Sequence, residues 1–231
     1  MFYYYRPDIY YLVLIIPALI IALIAQLSVK STYNKYKAVL LKNRMTGSEV
    51  ARRILDANNL YHVNVELSNG VLSDHFDPKT DTIRLSRDVY YGESVSAAGI
   101  AAHESGHAIQ YAQDYFPIKV RAAIIPLSRI GSNLSMPLIL LGYIFSIGPL
   151  VLAGILLFSL VTVFQLVTLP VEVNASSRAV MVLGGGMLDS EELKGVRKVL
   201  TAAGWTYIAA LLTSLAQLLR LVLIFGGRRK K

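Results

Sequence analysis

Apolar positions gather in four stretches of this chain, residues 9–29, 122–148, 149–169 and 203–226. Each approaches the roughly 20 residues that cross a bilayer as a helix. The first, IYYLVLIIPALIIALIAQLSV, is too long and too weakly basic at its start to read as a cleaved leader. Tyr3, Tyr4, Tyr5, Tyr10 and Tyr11 at its entry fit an interfacial aromatic belt. Gly148-Pro149 parts the second stretch from the third and predicts a tight helical hairpin. Arg220, near the end of the fourth, is placed to snorkel toward the interface. Four crossings return both termini to one side and bring residues 30–121 and 170–202 together on the other.

The polar pattern between the first two spans is that of a small folded unit. Thr46 and Glu49 have capping-box spacing, and Val50, Ile54 and Leu55 follow at helical spacing. HVNVEL and DTIRLS read as short strands, divided by turn signals at Ser68-Asn69-Gly70 and Asp77-Pro78. A helix then starts at Glu93 or Ser94 and runs to about Gln113. The expected fold is a mainly α integral membrane protein. It has four transmembrane helices, with a small α+β zincin-like domain at residues 30–121, between helices 1 and 2. A third-ligand helix and loop occupies residues 170–202.

Composition agrees with the pattern: 54% of residues are apolar and only 16% charged, well below a typical soluble domain. With no cysteine there is neither a thiolate metal site nor a disulfide framework. The net charge of +8 does not point to nucleic acid, because the basic residues flank the apolar spans. Lys30, Lys35, Lys37, Lys42 and Arg44 follow the first span, and Arg228, Arg229, Lys230 and Lys231 follow the last. The partner these positions imply is the lipid bilayer. Most Lys and Arg lie on the loop side, so the positive-inside rule makes that side cytoplasmic in a multi-pass cell-membrane protein, against the pull of the basic C-terminal tail.

The candidate chemistry lies in AAHESGHAIQ. On a helix, His103 and His107 share one face, with Cβ atoms about 5–6 Å apart, and can both reach one zinc ion. Glu104 stands beside such an ion and suits a general base acting on water. The competing reading is a buried helix whose histidines are merely hydrogen-bonded. A catalytic zinc has three protein ligands and an open position. The third-histidine extension is excluded, since Gln110 and Gln113 stand where its glycine and histidine belong. The third-ligand candidates are Glu172, Glu191 and Glu192. Glu172 follows Pro170 where the third span ends, on a stiff element at the membrane face. Glu191 and Glu192 read as helix-start acids, with Asp189 and Glu192 at capping-box spacing. His75, in DHFDP, is a candidate for substrate binding or oxyanion stabilisation. The DTIRLS strand is expected to be the edge on which an extended peptide pairs.

HESGHAIQ followed by Glu172-Val173-Asn174-Ala175 resembles the gluzincin-type membrane peptidases, including the HtpX-type and CAAX prenyl proteases. GSEVARRILDANNLY, LSDHFDPKTDTIRLS, GIAAHESGHAIQYA and LPVEVNASSRA together resemble the blocks of the YugP-like family of zinc-dependent membrane peptidases, in that family's order. The resemblance spans nearly the whole chain. It implies a Zn2+ cofactor held by His103, His107 and Glu172, with Glu104 as catalytic base. It also implies a protein or peptide substrate cut at or near the membrane surface. Ser176 departs from the HtpX-type pattern, which has Asp there, and leaves the group orienting a ligand histidine unassigned, with Asn174 a candidate. The alternative class is a non-catalytic membrane scaffold or adaptor with a structural zinc site. The missing cysteines disfavour it, since closed zinc sites take four ligands and often thiolates. Oligomeric state is not encoded in any recognisable pattern.

Overall fold

The computed structural model describes residues 8–70 and 73–226. Tyr3, Tyr4 and Tyr5 of the expected aromatic belt, and the Arg228–Lys231 tail, lie outside these. The protein is mainly helical, with one small sheet. A π-helical turn at Tyr11–Ile15 leads into α1 (Ile16–Lys37), then α2 (Gly47–Ala57), β1 (Asn64–Ser68), β2 (His75–Asp77), β3 (Thr82–Ser86) and the short α3 (Arg87–Tyr90). The rest is four helices: α4 (Val95–Ala112), α5 (Phe116–Ile144), α6 (Gly148–Gly184) and α7 (Ser190–Gly226). Among the described residues, four helices are long and apolar enough to cross a membrane: Tyr11–Lys37, Phe116–Ile144, Gly148–Gly184 and Ser190–Gly226.

α5 and α6 form the expected hairpin. Their contact is lined by Gly131, Ser135 and Gly142 of α5 and Gly154 of α6, all buried. Apolar side chains gain nothing by leaving lipid for protein, so close backbone approach at small residues is what holds such a pair. The chain just before the π-helical turn is tied to the far end of α7 by an ion pair on one carboxylate oxygen. Arg220 donates from Nε (2.7 Å) and Nη2 (2.5 Å) to Asp8 Oδ2, and its guanidinium lies over the Tyr11 ring. Arg220 is thus held by a partner.

The third span and the helix bearing Glu172 are one continuous helix. Pro170 lies inside α6 and does not begin a new element. Proline removes one helical hydrogen bond, but α4 and α5 pack against α6. Neighbouring helices make that loss tolerable.

On the loop side, both ends of α2 are fixed by side chains. Thr46 accepts from Glu49 N–H while the Glu49 carboxylate accepts from Thr46 N–H, completing the capping box. Arg52 bonds the Leu60 and Val63 carbonyls of the following turn. The sheet order is β1-β3-β2, with β1 parallel and β2 antiparallel to β3. This corrects the expected edge: the DTIRLS strand is central, Ile83 and Leu85 are fully buried, and β1 and β2 are the outer strands. Asp74 clamps the end of β3, accepting from the amide and hydroxyl of Ser86. The core of this unit also takes Ala179 and Leu183 from α6 and Val196 and Leu200 from α7. The polar region between the first two spans is therefore completed by the two later helices.

Candidate metal centre

α4 begins at Ser94, whose hydroxyl accepts from Ala97 N–H, and nearly all its residues are buried. Small residues (Ala97, Ala98, Ala101, Ala102, Ser105, Gly106, Ala108) dominate it and let neighbours come close. The closest approach is at Gly106. A Cβ there would sit 2.7 Å from the Ala175 carbonyl oxygen and 3.2 Å from its Cα. Only glycine leaves room for α6 at this point. One turn before Ala175, the same face of α6 carries Glu172.

The crossing brings His103, His107 and Glu172 together. One ligand-type atom from each lies within 4.8 Å of the others. Nε2 of His103 is 3.2 Å and Nε2 of His107 is 3.5 Å from Glu172 Oε2. The two rings stand edge to face, 4.8 Å between centroids. The other oxygen of Glu172, Oε1, faces Arg121 of α5, with Nη1 at 3.3 Å. The carboxylate thus has one oxygen for the histidines and one for a guanidinium. Tyr207 of α7 also faces Glu172.

Each histidine is oriented from its far side. Gln110 Nε2 donates to the Val171 carbonyl (2.8 Å) and to Asn174 Oδ1 (2.9 Å). Its Oε1 must then accept, so Nδ1 of His107, 3.0 Å away, carries the hydrogen. In the neutral ring Nε2 then offers a lone pair toward Glu172 Oε2. Two lone pairs facing each other repel; a proton or a cation between them removes the conflict. Nδ1 of His103 lies 3.1 Å from the Ser176 hydroxyl, which serves that ring in the same way. Burial works to lower the pKa of His107, but Glu172, Glu104 and Gln110 outweigh it, so the ring is held above its ordinary value. The donor set, two imidazoles and a carboxylate with their outer bonds satisfied, fits zinc with a fourth position left open.

Glu104 is buried, and its Oε2 accepts from the Phe76 amide at 3.0 Å. Phe76 lies in the middle of β2, so this donor points off the free edge of the sheet toward α4. Its ring packs on Tyr111 of α4, 5.6 Å between centroids. His75, the adjacent residue, is exposed and its Nδ1 bonds the Ser73 carbonyl at 2.7 Å. The structure does not bring it into the cluster. Glu191 and Glu192 stand at the start of α7. Asp189 Oδ1 accepts from the Glu192 amide, Glu192 Oε2 accepts from the Asp189 amide, and Glu192 Oε1 accepts from Lys42 N–H.

Sequence reasoning missed Phe76, Gln110, Arg121 and Tyr207. A backbone donor leaves no trace in sequence. In the sequence Gln110 stands out only as a position lacking a motif residue. Arg121 and Tyr207 lie on helices whose rotation no periodicity fixes.

Residues 11–226 match the family described as "putative neutral zinc metallopeptidase". The chain is also 46% identical over 220 residues to "Putative membrane protease YugP" of Bacillus subtilis (strain 168), covering 95% of this chain and 98% of that protein. No solved structure gives a significant match. The chain belongs to this zinc metallopeptidase family, and its relative and its four apolar helices make it a membrane protein.

Three substitutions test the geometry. Gly106→Ala should lower zinc affinity in competition with a chelator. Gly99→Ala should not, because a Cβ at residue 99 meets only Val196 at an ordinary 3.4 Å. Gln110→Leu keeps the volume but frees His107 Nδ1, and should weaken zinc binding by about 10–100-fold in the same titration.

Proposed function

We propose that the protein is an integral membrane zinc endopeptidase that cuts peptide bonds at or near the membrane surface. The observation that carries this is the convergence of His103, His107 and Glu172 beside a glutamate, Glu104, that is not itself a member of the ligand set. His103, His107 and Glu172 would hold the ion. When bound, zinc supplies Lewis acidity and acidifies a water molecule. Glu104 takes a proton from the attacking water and returns it to the leaving amine. Its bond to Phe76 N–H fixes one carboxylate oxygen and leaves the other for that exchange. Arg121 and the outer bonds of the two rings hold the ligands in place without occupying the open position.

The catalytic unit is the small α+β region between α1 and α5, completed by α6 and α7. The substrate is a protein or peptide, bound extended along the free edge of β2. In an extended strand the N–H and C=O of one residue point the same way. The Phe76 carbonyl therefore lies on that free edge and can accept a hydrogen bond from a substrate amide. The four helices cross the cell membrane with the catalytic side cytoplasmic, as the excess of Lys and Arg on that side favours.

Glu104→Gln should abolish proteolysis while zinc stays bound. Comparing peptide termini in membranes carrying the wild type or this variant would name the substrates. Termini confined to cytoplasmic segments would support the orientation, and an active Glu104→Gln protein would refute the mechanism. Once a substrate is known, peptides N-methylated in turn at the amides flanking the cut should show one position where KM rises about tenfold. A KM indifferent to every such methylation would remove β2 as the binding edge.

A further inference from the structure

The basic residues that follow the first span divide into two kinds. Lys37 is paired with Asp88, Lys42 with Asp189 and Arg44 with Glu93. Their charge is met inside the protein. Lys30 and Lys35 are different: no carboxylate bonds either among the described residues, and Lys35 shares a groove with Arg197 and Lys198 of α7, which also have none. These last three cations line one end of a groove of about 410 Å³ between α1 and α7.

The two walls of the groove are helix stripes. Ser28, Thr32 and Tyr36 repeat every four residues on α1, and Arg197, Thr201 and Trp205 do so on α7. The helices run in opposite directions, so Lys35, Arg197 and Lys198 lie at the loop-side end. Ser28 and Trp205 lie about 10–12 Å farther toward the apolar part. Beyond them α1 exposes Leu23, Ile24 and Leu27. From top to bottom the groove thus offers cations, then hydroxyls, then an indole, then hydrocarbon. Trp205 is more than half exposed, and tryptophan belongs at the level of lipid headgroups.

We propose that this groove binds the phosphate headgroup of an anionic phospholipid from the leaflet on the loop side. Lys35, Arg197 and Lys198 meet the phosphate charge, the Thr32 and Thr201 hydroxyls bond its oxygens, and the acyl chains run down past Trp205. A free phosphate ion would satisfy the cations equally but makes no use of the apolar lower half. The assignment rests on the membrane placement of α1 and α7 and is independent of the catalytic reading.

Trp205 is the only tryptophan in the chain and reports on the groove directly. The full-length protein is reconstituted in phosphatidylcholine vesicles carrying phosphatidylglycerol, with dibrominated acyl chains on one lipid at a time. Quenching of Trp205 then gives the relative occupancy of the groove by each lipid. Phosphatidylglycerol should be preferred about tenfold or more, given the contribution of each cation near an anionic headgroup. The preference should fall to about unity in the triple variant Lys35→Gln, Arg197→Gln, Lys198→Gln. It should persist in Arg53→Gln, Lys79→Gln, Arg87→Gln, which removes the same charge from exposed sites elsewhere. Equal quenching by both lipids in the wild type would overturn the proposal, as would an equal loss in the second triple variant. Suppression of the preference by excess inorganic phosphate would assign the site to a soluble anion instead.

Discussion

The contact on which everything else depends is the crossing of α4 over α6 at Gly106 and Ala175. It is a van der Waals contact between two backbones, with no side chain between them. Because the helices touch there, Glu172, one turn away, lies within 3.5 Å of both histidines. A methyl group at residue 106 would have to push α6 aside, and a carboxylate side chain cannot lengthen to follow. The three candidate ligand side chains are therefore brought together by helix packing.

That arrangement carries an electrostatic cost, which the structure meets by dividing each group's bonds. Glu172 is buried, and an isolated carboxylate there would be strongly disfavoured. One of its oxygens faces Arg121 and the other faces the two rings. Each ring in turn binds a neutral partner on its far side, Ser176 or Gln110. Gln110 also bonds Val171 and Asn174, so the side chain that orients His107 belongs to the helix carrying Glu172 as much as to its own. Rings, carboxylate and helix crossing thus form one connected network, and such networks hold geometry better than separate pairs.

Much of this was legible in the sequence. Four apolar runs gave four membrane-length helices, and the i, i+4 histidines with a glutamate beyond the hairpin gave the cluster. Thr46 with Glu49, and Asp189 with Glu192, formed the capping boxes their spacing announced. Pro170 misled, because its local preference for a helix start yields to helices packed on either side. DTIRLS misled for another reason: strand order is a long-range property, and the residues of β3 are the same whether one neighbour or two flank them. The Phe76 donor and the rotations that present Arg121 and Tyr207 were invisible, since they depend on how whole elements sit against each other.

The continuity of α6 has a further consequence. Glu172 is 24 residues from Gly148, the first residue of α6, at a rise of 1.5 Å each. The carboxylate therefore stands about 36 Å from the far end of the helix, only a few ångströms above a hydrocarbon layer about 30 Å thick. With no joint between anchor and carboxylate, α6 acts as a ruler standing on the opposite leaflet, and the height of the cluster is set by counting residues. A chain anchored in the same membrane would meet the cluster at a fixed length from its own anchor, so residue count along α6 decides which part of a neighbour can face it.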